Sequence, residues 1–382
     1  MRYKKFGNTG IELSVLGFGA MRLPMLDTAD GKKIVDEDAA VAILRRAFEL
    51  GVNYVDTAPY YCEKLSEVAV GKALKGWRDK VYLSTKNPIE DDSGAHWRER
   101  LENSLKKLDT DYIDFYHMWG ISLETFKTKI DVKDGPIEAA LKAKEEGLIK
   151  HISFSYHDAP QNMAEIIDSG YFESVLMQYN LLDRSNEKNI DYAQSKGLGV
   201  VIMGPVGGGR LGAPSPAILE LLGGRAKSSA EIALRYVLSN PNVNIALSGM
   251  GSIAMVEENA AAATGTGSSG PAGSLTEEER GRVRAMMEEN KRLAELYCTG
   301  CKYCMPCPQG LDIPHIFQLM NYHRVYGLTE YARGEYKQIV TGTSWVKSAD
   351  ASKCAACGAC EKKCPQKLKI INQLKETHLA LA

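Results

Sequence analysis

The chain has 382 residues, with 47 Lys and Arg against 48 Asp and Glu, a formal net charge of −1 and 44% hydrophobic residues. So even a balance leaves no electrostatic footprint for nucleic acid or a membrane surface, and no apolar run reaches the length that spans a bilayer. Met1 to Lys5 carries charge with no apolar stretch behind it, unlike a secretory leader.

The first 260 residues alternate short apolar runs with longer amphipathic stretches. Lys4–Phe6 and Ile11–Leu13 flank Asn8-Thr9-Gly10, which reads as a small hairpin. Eight candidate strands follow: Leu16–Met21, Tyr54–Asp56, Val81–Thr85, Tyr112–Tyr116, Ile149–Phe154, Ser174–Met177, Gly199–Met203 and Asn244–Leu247. Between them, Asp38–Leu50 places Val41, Leu44, Ala47 and Phe48 on one helical face, and Trp97–Leu108 and Ile137–Glu146 are similar. Gly51 and Gly147 follow as helix caps do. Eight strands alternating with helices predict a parallel sheet closed into a (β/α)8 barrel over residues 1–263. An open doubly wound sheet would want a third glycine in Gly17-Phe18-Gly19-Ala20-Met21-Arg22, which is absent. The hairpin would then plug the barrel floor.

Ala260–Ser274 is small, polar and uncharged, as a flexible linker is, and a linker is expected at 264–275. Thr276 with Glu279 forms a capping box ahead of a strong helix. Residues 276–382 are expected to be a second, mostly helical domain, with helices at Ile313–Tyr326 and Thr329–Ile339. It holds eight of the nine cysteines in two runs, Cys298, Cys301, Cys304, Cys307-Pro308 and Cys354, Cys357, Cys360, Cys364-Pro365. A disulfide framework suits small secreted chains, and zinc sites use two pairs split by a spacer. The second run fits the bacterial 4Fe–4S spacing throughout; the first is one residue shorter in its last gap. The runs resemble two-cluster ferredoxins, in which the fourth cysteine of each run serves the other cluster. That resemblance implies one cluster on Cys298, Cys301, Cys304 and Cys364, and another on Cys354, Cys357, Cys360 and Cys307. A cytoplasmic location is expected from the reduced thiolates and exposed clusters. Cys62 reads as a small core residue.

Asp56-Thr57-Ala58-Pro59-Tyr60-Tyr61 resembles the aldo-keto reductase family, which carries Asp-Thr-Ala with a catalytic tyrosine five residues after the aspartate. The resemblance continues at Ser84-Thr85-Lys86, Asp111–Tyr116, Gln178-Tyr179-Asn180-Leu181 and Glu258-Asn259, one motif per strand. With the cysteine runs, the chain is similar to the subgroup that adds a C-terminal 4Fe–4S domain. The resemblance implies a small-molecule carbonyl or alcohol substrate and NAD(P)H. It implies Tyr61 as acid and base, Lys86 lowering its pKa, and Asp56 holding Lys86 charged.

Three positions depart from the family. Its histidine at the end of strand four falls on Trp119. His117 lies two residues earlier on the same face, either to reach the substrate or Tyr61, or as an interior histidine satisfied by a neighbour. Ser155 and Gln178 match the family's carboxamide-binding set, but Tyr156 replaces an asparagine, and Met203-Gly204-Pro205 supplies no stacking aromatic. The two cations that bind the 2′-phosphate of NADPH fall on Gly249 and Met255, and Leu247–Asn259 has no basic residue. NADH, NADPH or neither therefore stays open, with Arg210 and Arg225 as substitute cations.

Gly207-Gly208-Gly209-Arg210 is either a phosphate loop, for nicotinamide or a flavin, or a simple tight turn. The remaining cofactor candidates are Glu258 and Asn259. Hydride chemistry moves two electrons together and each cluster moves one. The alternatives to a reductase are therefore an electron-transfer protein serving a ferredoxin or flavodoxin, or a redox sensor.

Overall fold

The computed structural model describes residues 1–207, 211, 216–219, 226–265, 275–295, 298, 302, 304–364 and 367–382. Two compact units are present: Met1–Gly207 with Ala233–Leu275, and Gly208–Ile232 with Thr276–Ala382.

In the first unit, β1 (Tyr3–Lys5) and β2 (Glu12–Ser14) form an antiparallel hairpin. Strand β3 (Leu16–Gly19) is followed by a second small hairpin, β4 (Met25–Asp27) and β5 (Lys33–Val35). The next strands are β6 (Tyr54–Asp56), β7 (Tyr82–Pro88), β8 (Ile113–Ile121) and β9 (Ile149–Tyr156). Then come β10 (Ser174–Gln178), β11 (Gly199–Met203) and β12 (Ile245–Ser248). Strands β3 and β6 to β12 close a barrel in chain order, every pair parallel. These are the eight expected strands, and a (β/α)8 barrel is the result.

The first hairpin closes the end where the strands begin. Phe6 is fully buried with Leu13, Tyr54, Phe115, Val201 and Ile245. It lies so close to Gly199 that a Cβ there would meet the ring at 2.5 Å, so only glycine starts β11 under this plug. With one end sealed by apolar side chains, chemistry is left to the opposite, C-terminal mouth, where the loops after the strands gather.

The outer helices follow their caps. Asp36 accepts from Ala39 N ahead of Glu37–Glu49, and Ser93 from His96 N ahead of Gly94–Leu108. The alanines at 260–263 belong to the helix Ile253–Thr264, which Gly265 ends at φ +80°. The small-residue stretch that opens at Ala260 is thus helical as far as Thr264, because alanine is the strongest helix former and the preceding turns already set the axis. Residues 266–274 lie outside the described residues.

In the second unit Thr276 and Glu279 form the expected capping box, Thr276 N donating to Glu279 Oε2 (2.9 Å) and Glu279 N to Thr276 Oγ1 (3.2 Å). The helix Glu277–Glu295 follows. Helices Ile313–Arg324, Thr329–Thr341 and Ile370–Leu381 bury Phe317, Tyr336 and Leu374. Tyr336 Oη accepts from Ala351 N (2.9 Å) and bonds His378 Nδ1 (3.0 Å), which ties the second cysteine run to this core. Among the described residues no helix is long and apolar enough to cross a membrane.

Candidate active site

Asp56 ends β6, Lys86 lies near the end of β7, and His117 sits beside Lys86 on β8. All three are buried, and the Lys86 and Asp56 side chains are each 2% exposed. Lys86 Nζ donates to Asp56 Oδ2 and to Thr57 O (2.7 Å). Ser84 Oγ donates to Asp56 Oδ1 (2.8 Å) and bonds His117 Nε2 (2.9 Å). One polar chain therefore runs from His117 through Ser84 and Asp56 to Lys86.

Burial opposes the charge on Lys86, but Asp56 and Tyr61 outweigh it and hold its pKa above the ordinary value. Burial, with Lys86 nearby, pulls His117 down to about 3, so its imidazole stays neutral. Its place is the interior network, bonded to Ser84; the side chain against Tyr61 is Trp119, edge-on at 5.8 Å and 87°.

Tyr61 is half-buried, with the Lys86 ammonium 4.8 Å from its ring centroid. Its pKa is raised: burial comes first, and Lys86 opposes it without reversing it. The expected lowering is therefore overturned: Lys86 pulls the pKa down, but desolvation of the phenolate outweighs one ammonium already shared with Asp56 and leaves it raised. Directly after it Cys62, Glu63 and Lys64 all take left-handed backbone (φ +50°, +54° and +68°). That single turn is uncommon for side-chain-bearing residues. It is held by Leu65 N to Cys62 O (3.0 Å) and Ser66 N to Tyr61 O (3.3 Å). Ser66 Oγ then reaches Ala20 O (2.7 Å), so the loop bearing Tyr61 is tied to the loop after β3.

The nicotinamide set is partly brought together. Among the described residues the Gln178 side-chain amide has no hydrogen-bond partner, and it lies against Gly204 (φ +62°), where a Cβ would stand 2.7 Å from its Oε1. Ser155 Oγ accepts from Gly120 N (2.8 Å), and Asn259 Nδ2 donates to Ser248 Oγ (3.1 Å). Tyr156 donates to Ala159 O and so does not take the missing asparagine's part. Glu258 is exposed; Gly208, Arg210 and Arg225 lie outside the described residues.

Arg22 was missed from sequence. A side chain at position 249 would start 3.8 Å from Arg22 Cβ and Cδ, so this arginine runs beside the β12 loop that lacks cations of its own. The signal was topological: closing a barrel makes the loops after its first and last strands neighbours.

In the second unit Cys307, Cys354, Cys357 and Cys360 line one cavity, together with Cys304 and Lys363. Ala356 (φ +53°) and Gly358 (φ +72°) bend the second run around it. Five thiols from two segments line it, one more than the four a 4Fe–4S cluster takes, in which each iron holds one thiolate; Cys304 is the one that the ferredoxin resemblance gives to the other cluster. Among the described residues no three Cys, His, Asp or Glu converge as a single-ion site would need. Cys298 and Cys364 are half-buried, and Cys301 lies outside the described residues.

Residues 15–266 match the Aldo/keto reductase family. The chain belongs to that family. Residues 297–369 match the 4Fe-4S dicluster domain, so this aldo-keto reductase carries a ferredoxin-type module that follows the barrel in the sequence. It is 32% identical over 316 residues to L-galactose dehydrogenase of Arabidopsis thaliana, covering 76% of this chain and 95% of that protein. It is 30% identical over 325 residues to the uncharacterized oxidoreductase YqkF of Bacillus subtilis, covering 76% and 97%. Among solved structures, the holo form of aldo-keto reductase AKR11C1 from Bacillus halodurans matches with TM-score 0.62 and 33% identity, over 75% of this chain and 96% of that one. The chain is an oxidoreductase of this family.

Proposed function

We propose that the barrel interconverts a small-molecule carbonyl and its alcohol with NAD(P)H, and that the second unit carries two 4Fe–4S clusters. The observation that carries this reading is the buried Lys86–Asp56 pair set against the Tyr61 ring at the open mouth. When bound, the nicotinamide would give or take the hydride, and the clusters would hold electrons singly. Tyr61 Oη gives its proton to the oxygen of a carbonyl being reduced, and takes one from an alcohol being oxidised. Lys86 stabilises the phenolate left behind, Asp56 and Thr57 O fix the ammonium, and Ser84 and neutral His117 hold Asp56. His117 is thus a positioning residue.

Gln178, Ser155 and Asn259 would hold the cofactor, with Arg22 as the cation for its 2′-phosphate. Cys354, Cys357, Cys360 and Cys307 would hold one cluster, and Cys298, Cys301, Cys304 and Cys364 the other. The name of the Arabidopsis relative, a sugar dehydrogenase, supports alcohol–carbonyl chemistry.

Trp119 in place of the family histidine, and Tyr156 turned to Ala159 O, favour a second reading in which the barrel holds another cofactor such as a flavin. Anaerobic purification, mass identification of any co-purified cofactor and titration with NADH and NADPH separate the two. Nicotinamide binding supports the first; a retained flavin with no nicotinamide binding refutes it.

A further inference from the structure

We infer that the surface around the second cysteine run is the docking site of a small acidic one-electron carrier protein. Residues 353–369 hold five lysines, at 353, 362, 363, 367 and 369, against a single carboxylate, Glu361, in a chain of net charge −1. All five are exposed, and none forms an ion pair among the described residues. In the barrel, by contrast, Lys72, Lys127, Lys144 and Lys196 each face a carboxylate.

The two nearby acids are bonded to internal partners, although Asp350 also feels the charge of Lys353. Glu361 Oε1 accepts from Ile371 N (2.9 Å), and Asp350 Oδ1 accepts from Ser352 N (2.9 Å). Five exposed ammoniums in one short stretch of chain create a local positive field that an acidic surface complements, chiefly by steering encounter.

The same stretch carries the second cysteine run. Lys363 lines the cavity formed by Cys307, Cys354, Cys357 and Cys360, and Cys357 is exposed while the other described cysteines are half-buried. A carrier seated on the lysines would face that thiol. The strip has no aromatic residue interleaved among the lysines to stack on bases, so it lacks the make-up of a single-strand nucleic-acid platform. The inference rests on the cluster proposed for these cysteines. The step would be a one-electron exchange, from the reduced carrier to the cluster that these cysteines would hold, with no bond formed or broken.

The test uses the full-length, anaerobically reconstituted protein and an acidic bacterial ferredoxin as probe. Its dissociation constant is measured by calorimetry over a range of salt, for wild type and for the variant Lys362→Glu/Lys369→Glu. The wild type should bind more weakly as salt rises, and the variant should lose at least about tenfold in affinity at low salt. Iron content and reduction by dithionite should not change. Equal affinity of wild type and variant overturns the inference, as does full iron loading with no ferredoxin binding. So does a variant that shifts only the cluster potential, which would make the lysines counter-charges to the cluster. Single-stranded DNA or anionic vesicles that bind the strip more tightly than ferredoxin would overturn it in favour of those partners. Failure to take up iron and sulfide is a separate result: the cluster assignment falls first, and the docking inference with it.

Discussion

Replacing Lys86 with methionine should cost the barrel far more than a surface lysine would. The side chains of Lys86 and Asp56 are each 2% exposed, so neither charge has water to fall back on. The substitution leaves the Asp56 carboxylate with Ser84 as its remaining side-chain donor and takes the ammonium from Thr57 O. Breaking a buried pair from one side costs about 3–5 kcal/mol, against about 0–1 kcal/mol for an exposed pair. Asp56→Asn alone should be similarly harmful, whereas Asp56→Asn/Lys86→Met should recover at least about 2 kcal/mol of the summed loss. The pH dependence has a definite sign. Burial raises the Asp56 pKa, and Lys86 is the main force opposing it. Without Lys86 the native carboxyl binds a proton at a pH where the unfolded one does not. Lys86→Met should therefore regain stability relative to wild type as pH falls from 7.5 towards about 4, the unfolded aspartate value, and lose it again as pH rises. Urea unfolding followed through the barrel tryptophans, Trp77, Trp97 and Trp119, reads all of this. A Lys86→Met protein as stable as wild type, or one whose deficit is independent of pH, would refute the reasoning.

Tyr61→Phe should lower turnover by about 10²–10⁴ with cofactor affinity unchanged in a binding titration. Burial raises the Tyr61 pKa, so reduction, which needs the phenol, should stay level from pH 7 to 9, while oxidation, which needs the phenolate, should climb over that range; a reductive rate falling between pH 7 and 8 would contradict this. Arg22→Met should weaken NADPH, and 2′,5′-ADP as a fragment, by roughly 10- to 100-fold, the weight of one charge-assisted bond, with NADH little affected. Glu63→Gly, at an exposed left-handed position, should leave the barrel unchanged or up to about 1 kcal/mol more stable in the same urea assay. Anaerobic reconstitution should give about eight irons per chain, and Cys357→Ala should lose about half of them in an iron assay.

The barrel was legible because its signal is local. Each parallel strand is buried on both faces and reads as a short apolar run, and strand order then follows chain order. Asp56, Lys86 and Tyr61 were legible because a motif at each strand end fixes its own residue. What crosses between strands was not. Arg22 stands 227 positions before Gly249 in the sequence and beside it only once β12 closes onto β3. Whether His117 faced the substrate or the interior depended on Ser84, a partner on the neighbouring strand. The rise in the Tyr61 pKa depended on burial, which spacing does not report. In the second unit the resemblance to two-cluster ferredoxins already groups Cys307 with the second run, and those four cysteines line one cavity.

The most direct test of a nicotinamide-dependent reductase is isotopic. The anaerobic protein is given NADPH deuterated at the transferable C4 position, with a small aldehyde in ordinary water, and the alcohol is analysed by mass spectrometry. Direct hydride transfer beside Tyr61 predicts one deuterium retained on the carbinol carbon. Alcohol formed without deuterium would mean that electrons leave the nicotinamide separately and protons come from water, which contradicts the proposed barrel chemistry.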